Sequence, residues 1–128
     1  MNILLDTHTL IWFCEDDKKL PEKIKKEIEN TENTIFISIA SLWEMAIKIS
    51  LKKLKLAIPL EEVIKLLNEN GISIIPIQTE HLLKVASFDF HHRDPFDRLI
   101  ICQSLVEEMM IITIDEKFDM YGVRRLWE

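Results

Sequence analysis

Short apolar runs separated by longer segments of helical character make up most of the chain. Four runs are uncharged and rich in β-branched residues: Ile3–Leu5, Ile35–Ile39, Ile72–Ile77 and Met110–Ile114. They do not alternate polar with apolar positions, which is typical of strands covered on both faces by helices. A weaker fifth run, Val123–Trp127, contains two arginines, which favours an exposed edge strand.

Six segments between these runs have helical patterns. One carries a proline near its first turn, and another stops at Asn70–Gly71, a common signal for the C-terminal end of a helix. The predicted helices are Thr7–Cys14, Pro21–Asn30, Ser41–Leu51, Leu60–Asn70, Thr79–Ser87 and Phe96–Met109. Because strands alternate with helices, the sequence predicts right-handed βα units and an α/β fold with a mainly parallel sheet of four to five strands.

Length and composition narrow the class of protein. The 128 residues suit one domain, expected to span residues 1–128, and 48% hydrophobic residues exclude disorder as the main state. No apolar run approaches the roughly 18 residues of a membrane helix, and the N-terminus lacks the basic segment of a signal peptide. Cys14 and Cys102 each lie in an apolar stretch, which favours core thiols. We therefore expect a soluble, cytoplasmic protein.

The net charge argues against general nucleic-acid binding. Lysine and arginine number 16 against 22 acidic residues, which gives a formal charge of −6. The chain thus lacks the broad basic surface of a protein that binds nucleic acid through charge alone. A nucleic-acid partner would have to be held locally, with metal ions offsetting the acidic surface.

Four acidic residues occupy comparable places in the predicted sheet. Asp6 directly follows the first strand, and Asp115 directly follows the fourth. Glu44 is predicted in the first turn of the helix after the second strand, and Asp97 in the first turn of the helix that Asp94 opens. Since the carboxyl ends of parallel strands meet at one edge, these side chains are expected to lie there together, Asp97 less surely because a loop intervenes.

Each acid also has a local structural interpretation, which is favoured when that acid is considered alone. Asp6, Asp94 and Asp115 are suited to cap helices, and Asp97 suits the first turn of a helix. Glu44 fits a capping box with Ser41, or an ion pair with Lys48 one turn on.

The acids as a set point to a metal site. Two charges ~5 Å apart repel by ~3 kcal/mol at an effective dielectric constant near 20, and a divalent cation removes that repulsion. Carboxylate oxygens and water are the ligands that Mg²⁺ and Mn²⁺ prefer. Such an ion binds a phosphate oxygen and activates water for in-line attack, so the set indicates metal-assisted phosphodiester hydrolysis.

The sequence resembles a PIN domain, and specifically a VapC-type ribonuclease toxin of a toxin–antitoxin pair. The resemblance runs from residue 4 to residue 127, and its most specific part is Arg93-Asp94-Pro95-Phe96-Asp97-Arg98. The stretches that carry it are Leu4–His8, Ser41–Lys48, His92–Ile100, Thr113–Asp115 with Phe118, and Tyr121–Val123 before Leu126-Trp127.

The resemblance implies a role for individual residues. Asp6, Glu44, Asp97 and Asp115 match the four metal-binding acids, with Asp97 rather than Asp94 as the third. Thr7 and Thr113 match hydroxyl positions that bond a carboxylate, water or phosphate, and Arg98 is equally suited to bond phosphate or to pair with an acid.

The resemblance also implies properties of the whole protein. It implies a three-layer α/β/α sandwich, dependence on Mg²⁺ or Mn²⁺, a homodimer, and inhibition by a VapB-type antitoxin. The implied reaction is endonucleolytic cleavage of RNA by a metal-activated water, which leaves a 5′-phosphate and a 3′-hydroxyl.

Two other functions remain as alternatives. An aspartyl-phosphate phosphatase needs a second aspartate two residues after Asp6, where this chain has His8, and a receiver domain needs an acidic pair that Asp16 and Asp17 do not supply. A non-catalytic binding module on the PIN fold is the other alternative, against which the presence of all four acids argues.

Overall fold

The computed structural model describes residues 1–89 and 94–128, so His92 and Arg93 of the stretch His92–Ile100 lie outside the described residues. The strands are β1 (Asn2–Leu5), β2 (Thr34–Ser38), β3 (Ser73–Ile75), β4 (Met110–Ile112) and β5 (Arg125–Leu126). The helices are α1 (Thr7–Cys14), α2 (Glu22–Glu29), α3 (Ile39–Ser50), α4 (Leu60–Glu69), α5 (Thr79–Ser87) and α6 (Pro95–Glu107), with a 3₁₀ helix at Glu116–Tyr121.

The five strands form one sheet in the order β3-β2-β1-β4-β5, and every neighbouring pair is parallel. In the central strand, Leu5 lies opposite Ile37 of β2 and Ile112 of β4. The three strands therefore end level with one another, so the residues that follow them emerge at the same edge of the sheet. The predicted α/β fold with a mainly parallel sheet of four to five strands is confirmed.

Helices cover both faces of the sheet, as a three-layer sandwich requires. Ile3 and Leu5 point to one face and pack in a cluster with residues of α1, α2 and α4, such as Leu10 and Ile24. Leu4 points to the other face, where the second cluster includes residues of α6 and the 3₁₀ helix. The alternation of β1 side chains between two buried faces explains why its sequence is apolar at every position from Ile3 to Leu5.

One predicted helix start is wrong by more than one residue. Helix α3 begins at Ile39, two residues before the predicted Ser41, and Ser38 is its N-cap, with the hydroxyl accepting from Ala40 N at 3.1 Å. Glu44 therefore lies in the second turn of α3, and the predicted first-turn position and capping box are both incorrect. The β-branched Ile39 extends the apolar run of β2 and so hides the change from strand to helix.

The remaining differences are shifts of one or two residues at helix ends, such as the end of α6 at Glu107 rather than Met109, and differences at the ends of strands. The predicted run Ile72–Ile77 contains β3 as Ser73–Ile75 only, since Pro76 has no N–H to donate to a neighbouring strand. Strand β5 lies at the edge of the sheet, as the two arginines of the predicted run Val123–Trp127 indicate. Both cysteines are free thiols, and Cys102 is buried. No described helix has the length and apolar character needed to span a membrane.

Candidate active site

The predicted acidic residues meet in one small pocket at the carboxyl edge of the sheet. The pocket has a volume of about 150 Å³, and five carboxylates contribute to its lining. The described lining residues are Asp6, Thr7, His8, Glu44, Lys48, Asp94, Asp97, Ile114, Asp115 and Phe118. The level ends of β1, β2 and β4 and the N-terminal end of α6 bring these side chains together.

Asp6 is buried and firmly held by its neighbours. It is the N-cap of α1, where Oδ1 accepts from Thr9 N at 2.8 Å, and Oδ2 accepts from Thr113 Oγ1 at 2.6 Å. Thr113 is fully buried, and its hydroxyl oxygen also accepts from Asp115 N at 3.1 Å. The Thr113 hydroxyl thus fixes the Asp6 carboxylate and the start of the segment that carries Asp115.

Glu44 is equally constrained. The residue is 5% exposed, Oε1 accepts from Thr7 Oγ1 at 2.8 Å, and Oε2 accepts from Lys48 Nζ at 2.6 Å. The predicted ion pair between Glu44 and Lys48 is therefore present. Thr7 Oγ1 also lies 3.0 Å from Ser41 Oγ, so a serine interpreted from sequence as a helix cap supports the site instead.

The other acids also combine a local structural role with a place in the pocket. Asp94 is the N-cap of α6 and accepts from Phe96 N at 2.8 Å and from Asp97 N at 3.2 Å. Asp97 is the third residue of that helix. Asp115 caps the 3₁₀ helix by accepting from Lys117 N at 2.9 Å. The capping interpretations of Asp6, Asp94 and Asp115 are confirmed. The same three side chains also line the pocket, so a capping role does not prevent them from contributing to a common site.

The electrostatics of the pocket centre on Asp97. Burial raises the pKa of Asp97 to about 7, with further increases from the charges of Asp94, Glu44, Asp6 and Asp115. A carboxyl group whose pKa rises because it is buried among other carboxylates carries a repulsion that a bound cation relieves.

The donor set fits a hydrated divalent cation. Within residues 1–89 and 94–128 no three His, Cys, Asp or Glu side chains are placed to ligate one ion directly. Mg²⁺ keeps several waters and takes one or two protein carboxylates, so it does not require such a group. The repulsion at Asp97 and the many carboxylate oxygens of the lining favour this kind of ion over zinc, which prefers nitrogen and sulfur ligands.

The pocket contains residues that were not predicted from the sequence, and the role of Arg98 stays a prediction. Arg98 is partly buried and is not among the described residues that line the pocket. His8 does line it, and Thr9 supports Asp6 from its backbone while its hydroxyl donates to Ile112 O at 3.2 Å. The available signal was the unbroken run Asp6-Thr7-His8-Thr9, which places polar groups on the first turn of a helix directly after a buried strand.

The raised pKa of Asp97 predicts a pH dependence of stability in EDTA. Since that pKa is about 7 in the folded protein against an ordinary value of 3.8, the folded state binds more protons than the unfolded state between these pH values. The free energy of unfolding should therefore fall as the pH rises from about 4 to about 7. Urea unfolding at pH 5 and pH 8 measures the effect.

Asp97→Asn provides the control for this dependence. The neutral amide removes the repulsion, so the wild type should lose about 1–2 kcal/mol relative to Asp97→Asn between pH 5 and pH 8, after allowance for solvent screening. Parallel pH profiles for the two proteins would contradict the raised pKa.

Several solved structures share this fold at low sequence identity. The VapBC2 complex from Rickettsia felis, solved with a DNA fragment from its promoter, aligns with a TM-score of 0.70 and 17% identity over 100% of both chains. VapBC-1 from nontypeable Haemophilus influenzae gives a TM-score of 0.68 and 17% identity over 98% of this chain and 97% of the other. A toxin–antitoxin complex from Klebsiella pneumoniae gives 0.57 and 17% over 91% and 89%.

Sequence comparison gives the family. No curated protein matches the chain at a significant level. The PIN domain profile, in contrast, matches residues 3–123, which is nearly the whole chain and includes all four predicted metal-binding acids. With a PIN-like sheet and the acids gathered at its carboxyl edge, the chain belongs to the PIN domain family.

Proposed function

We propose that this protein is a metal-dependent endoribonuclease that acts as the toxin of a toxin–antitoxin pair. The observation that carries the proposal is the single pocket in which Asp6, Glu44, Asp97 and Asp115 meet, with the pKa of Asp97 raised to about 7. Membership of the PIN domain family and the likeness to VapBC structures support the reaction class.

Each acid has a defined part in the proposed reaction. Asp6 and Asp97 offer carboxylate oxygens to the cation, Asp6 in an orientation fixed by the Thr113 hydroxyl and the Thr9 N–H. Glu44 and Asp115 complete the negative lining, and Thr7 holds the Glu44 carboxylate. When bound, Mg²⁺ or Mn²⁺ supplies Lewis acidity to the phosphate and activates the attacking water.

Metal dependence also explains how a protein with a net negative charge binds RNA. With a formal charge of −6 and five carboxylates at the pocket, the metal-free site repels a phosphodiester. A divalent cation offsets part of this negative charge and gives a phosphate oxygen a positive ion to bind at the one place where the backbone must be held. RNA binding is therefore local and metal-dependent rather than spread over a basic surface.

The proposed protein partners are a VapB-type antitoxin and a second copy of the chain. The likeness to VapBC complexes supports the antitoxin. An apolar groove of about 690 Å³ between the C-terminal end of α3 and residues 54–61 offers space for side chains of a partner segment. Trp43 is 57% exposed and Leu83 70% exposed, and such apolar surface supports a homodimer.

The proposed cellular location follows from the substrate and the regulator, and the proposed domain organisation follows from the family match. RNA as a substrate and an antitoxin as a regulator favour action in the cytoplasm. The PIN match across residues 3–123 supports one domain over residues 1–128.

The structure argues against a phosphoaspartate mechanism at Asp6. Both carboxylate oxygens of Asp6 accept short hydrogen bonds, and the residue is 7% exposed. These hydrogen bonds make the oxygens weaker nucleophiles and fix their orientation, while each oxygen keeps a lone pair for a cation, so the arrangement suits a metal ligand better than an attacking group.

Controlled expression in bacterial cells tests the proposal. Induction of the wild-type chain should slow growth and produce new 5′ ends in the RNA of the host, whereas equal amounts of Asp6→Asn should do neither. Growth arrest by both proteins, or by neither, would contradict a toxin that acts through this pocket.

A further inference from the structure

Lys48 brings a positive charge into the acidic pocket. It is the one lysine or arginine among the described residues that line the pocket. Its Nζ lies 2.6 Å from Glu44 Oε2, and its side chain is 39% exposed. The acids of the pocket are therefore not left entirely without a cation in the metal-free protein.

The ammonium of Lys48 has more donors than Glu44 uses. A lysine carries three N–H donors, and Glu44 Oε2 accepts one of them. The position of the ammonium is well defined because Glu44 is 5% exposed and is held on its other oxygen by Thr7. The other N–H donors of this ammonium lie at the wall of the pocket, where they are available to an anion.

The same contacts limit where a second metal ion could bind. Catalytic sites with two metals hold the ions about 3.5–4 Å apart so that both the attacking and the leaving oxygen are stabilised. An ion bound at Glu44 would lie beside the Lys48 ammonium, whose Nζ is 2.6 Å from Oε2, so the two positive charges would repel each other. The Glu44 side of the pocket already has a cation that this chain supplies itself.

We propose that Lys48 is a catalytic residue that contacts the scissile phosphate of the RNA and takes the place of a second metal ion. This inference rests on the proposed function and adds the number of metal ions and a substrate contact to it. Lysine binds phosphate as a point charge, which suits a group fixed by one carboxylate and directed at another anion.

Lys48→Gln tests the inference because it should change the affinity for Mn²⁺ and the affinity for RNA in opposite directions. Loss of a competing positive charge should tighten Mn²⁺ binding about threefold to tenfold in calorimetry, and the wild type should bind one ion per chain. Loss of a phosphate contact should weaken binding of a fluorescent single-stranded RNA about threefold to tenfold and reduce the slope of log K against log salt by about 0.7. RNA binding is measured in Ca²⁺, with gels to verify that the RNA stays intact.

Two further variants complete the experiment. Lys53→Gln removes an exposed lysine of the same region that does not line the pocket, and should leave both equilibria unchanged. Lys48→Arg retains the charge and should retain the wild-type salt slope. A thermal melt verifies that each variant is folded, and Lys48→Met replaces Lys48→Gln if the latter is not.

The possible results distinguish a failure of the inference about Lys48 from a failure of the proposed function. Opposite shifts in metal and RNA affinity support the inference. Weakening of both, as expected when Lys48 only positions Glu44, overturns it, and so does a wild-type salt slope in Lys48→Gln or two ions per wild-type chain. A wild type that binds neither Mn²⁺ nor RNA overturns the proposed function, and this inference with it.

Discussion

Asp97→Asn is expected to reduce the rate of RNA cleavage by about 10²–10³-fold while the protein remains folded. Asp97 is the acid whose pKa responds to every other carboxylate of the pocket, which indicates a central position among them. The amide keeps the shape of the side chain but removes the charge that attracts the cation. Single-turnover cleavage of a labelled RNA in excess Mg²⁺ measures the effect.

Asp94→Asn is the matched control for this prediction. It removes the same charge from the same pocket, and asparagine is as good an N-cap as aspartate, so α6 should begin as before. Its effect on cleavage is expected to be about tenfold, at the lower end of the range for loss of a group that supports a metal ligand. If Asp94→Asn were the more damaging change, Asp94 and not Asp97 would be the principal ligand.

Addition of millimolar Mg²⁺ or Mn²⁺ to protein in EDTA is expected to raise the melting temperature of the wild type substantially. Metal binding relieves the repulsion at Asp97 and stabilises the folded state by about 2.7 kcal/mol when the free ion is at 100 times its Kd. For a chain of 128 residues this corresponds to roughly 10 °C. A thermal melt followed by circular dichroism measures the shift.

The same melt of Asp97→Asn distinguishes a metal site from a set of helix caps. In EDTA the variant should be as stable as the wild type or more stable, since it lacks the repulsion, and its response to metal should be much smaller. Equal metal responses in the two proteins would mean that the stabilising ion binds elsewhere. No response in either would leave the acids as structural caps alone.

Much of the fold was predictable because each buried strand is marked by its own residues. Uncharged apolar runs such as Ile3–Leu5 are typical of strands in a sheet covered on both faces, and their alternation with helices favours parallel pairing. The order of the strands required the structure, since several orders satisfy the same local pattern. The start of α3 was misjudged because Ile39 is β-branched and Ser38 caps the helix from within the apolar run.

The candidate site was predictable as a group of acids but not as a network. Asp6 and Asp115 directly follow strands, so the geometry of a parallel sheet brings them together. The contacts of Thr113 with Asp6 and of Ser41 with Thr7 join residues far apart in sequence, and no local pattern encodes them. Arg98 is next to Asp97 in sequence, but it is not among the described residues that line the pocket.

Analysis of the RNA products from the purified wild-type protein shows whether the acidic pocket catalyses a metal-dependent hydrolysis. In Mg²⁺ we expect cleavage that leaves a 5′-phosphate and a 3′-hydroxyl, detected by mass spectrometry, with cleavage abolished in EDTA and restored by Mn²⁺. Attack by water accounts for these ends. Cleavage that persists in EDTA, or products that end in a 2′,3′-cyclic phosphate, would contradict a metal-dependent hydrolysis at the acidic pocket.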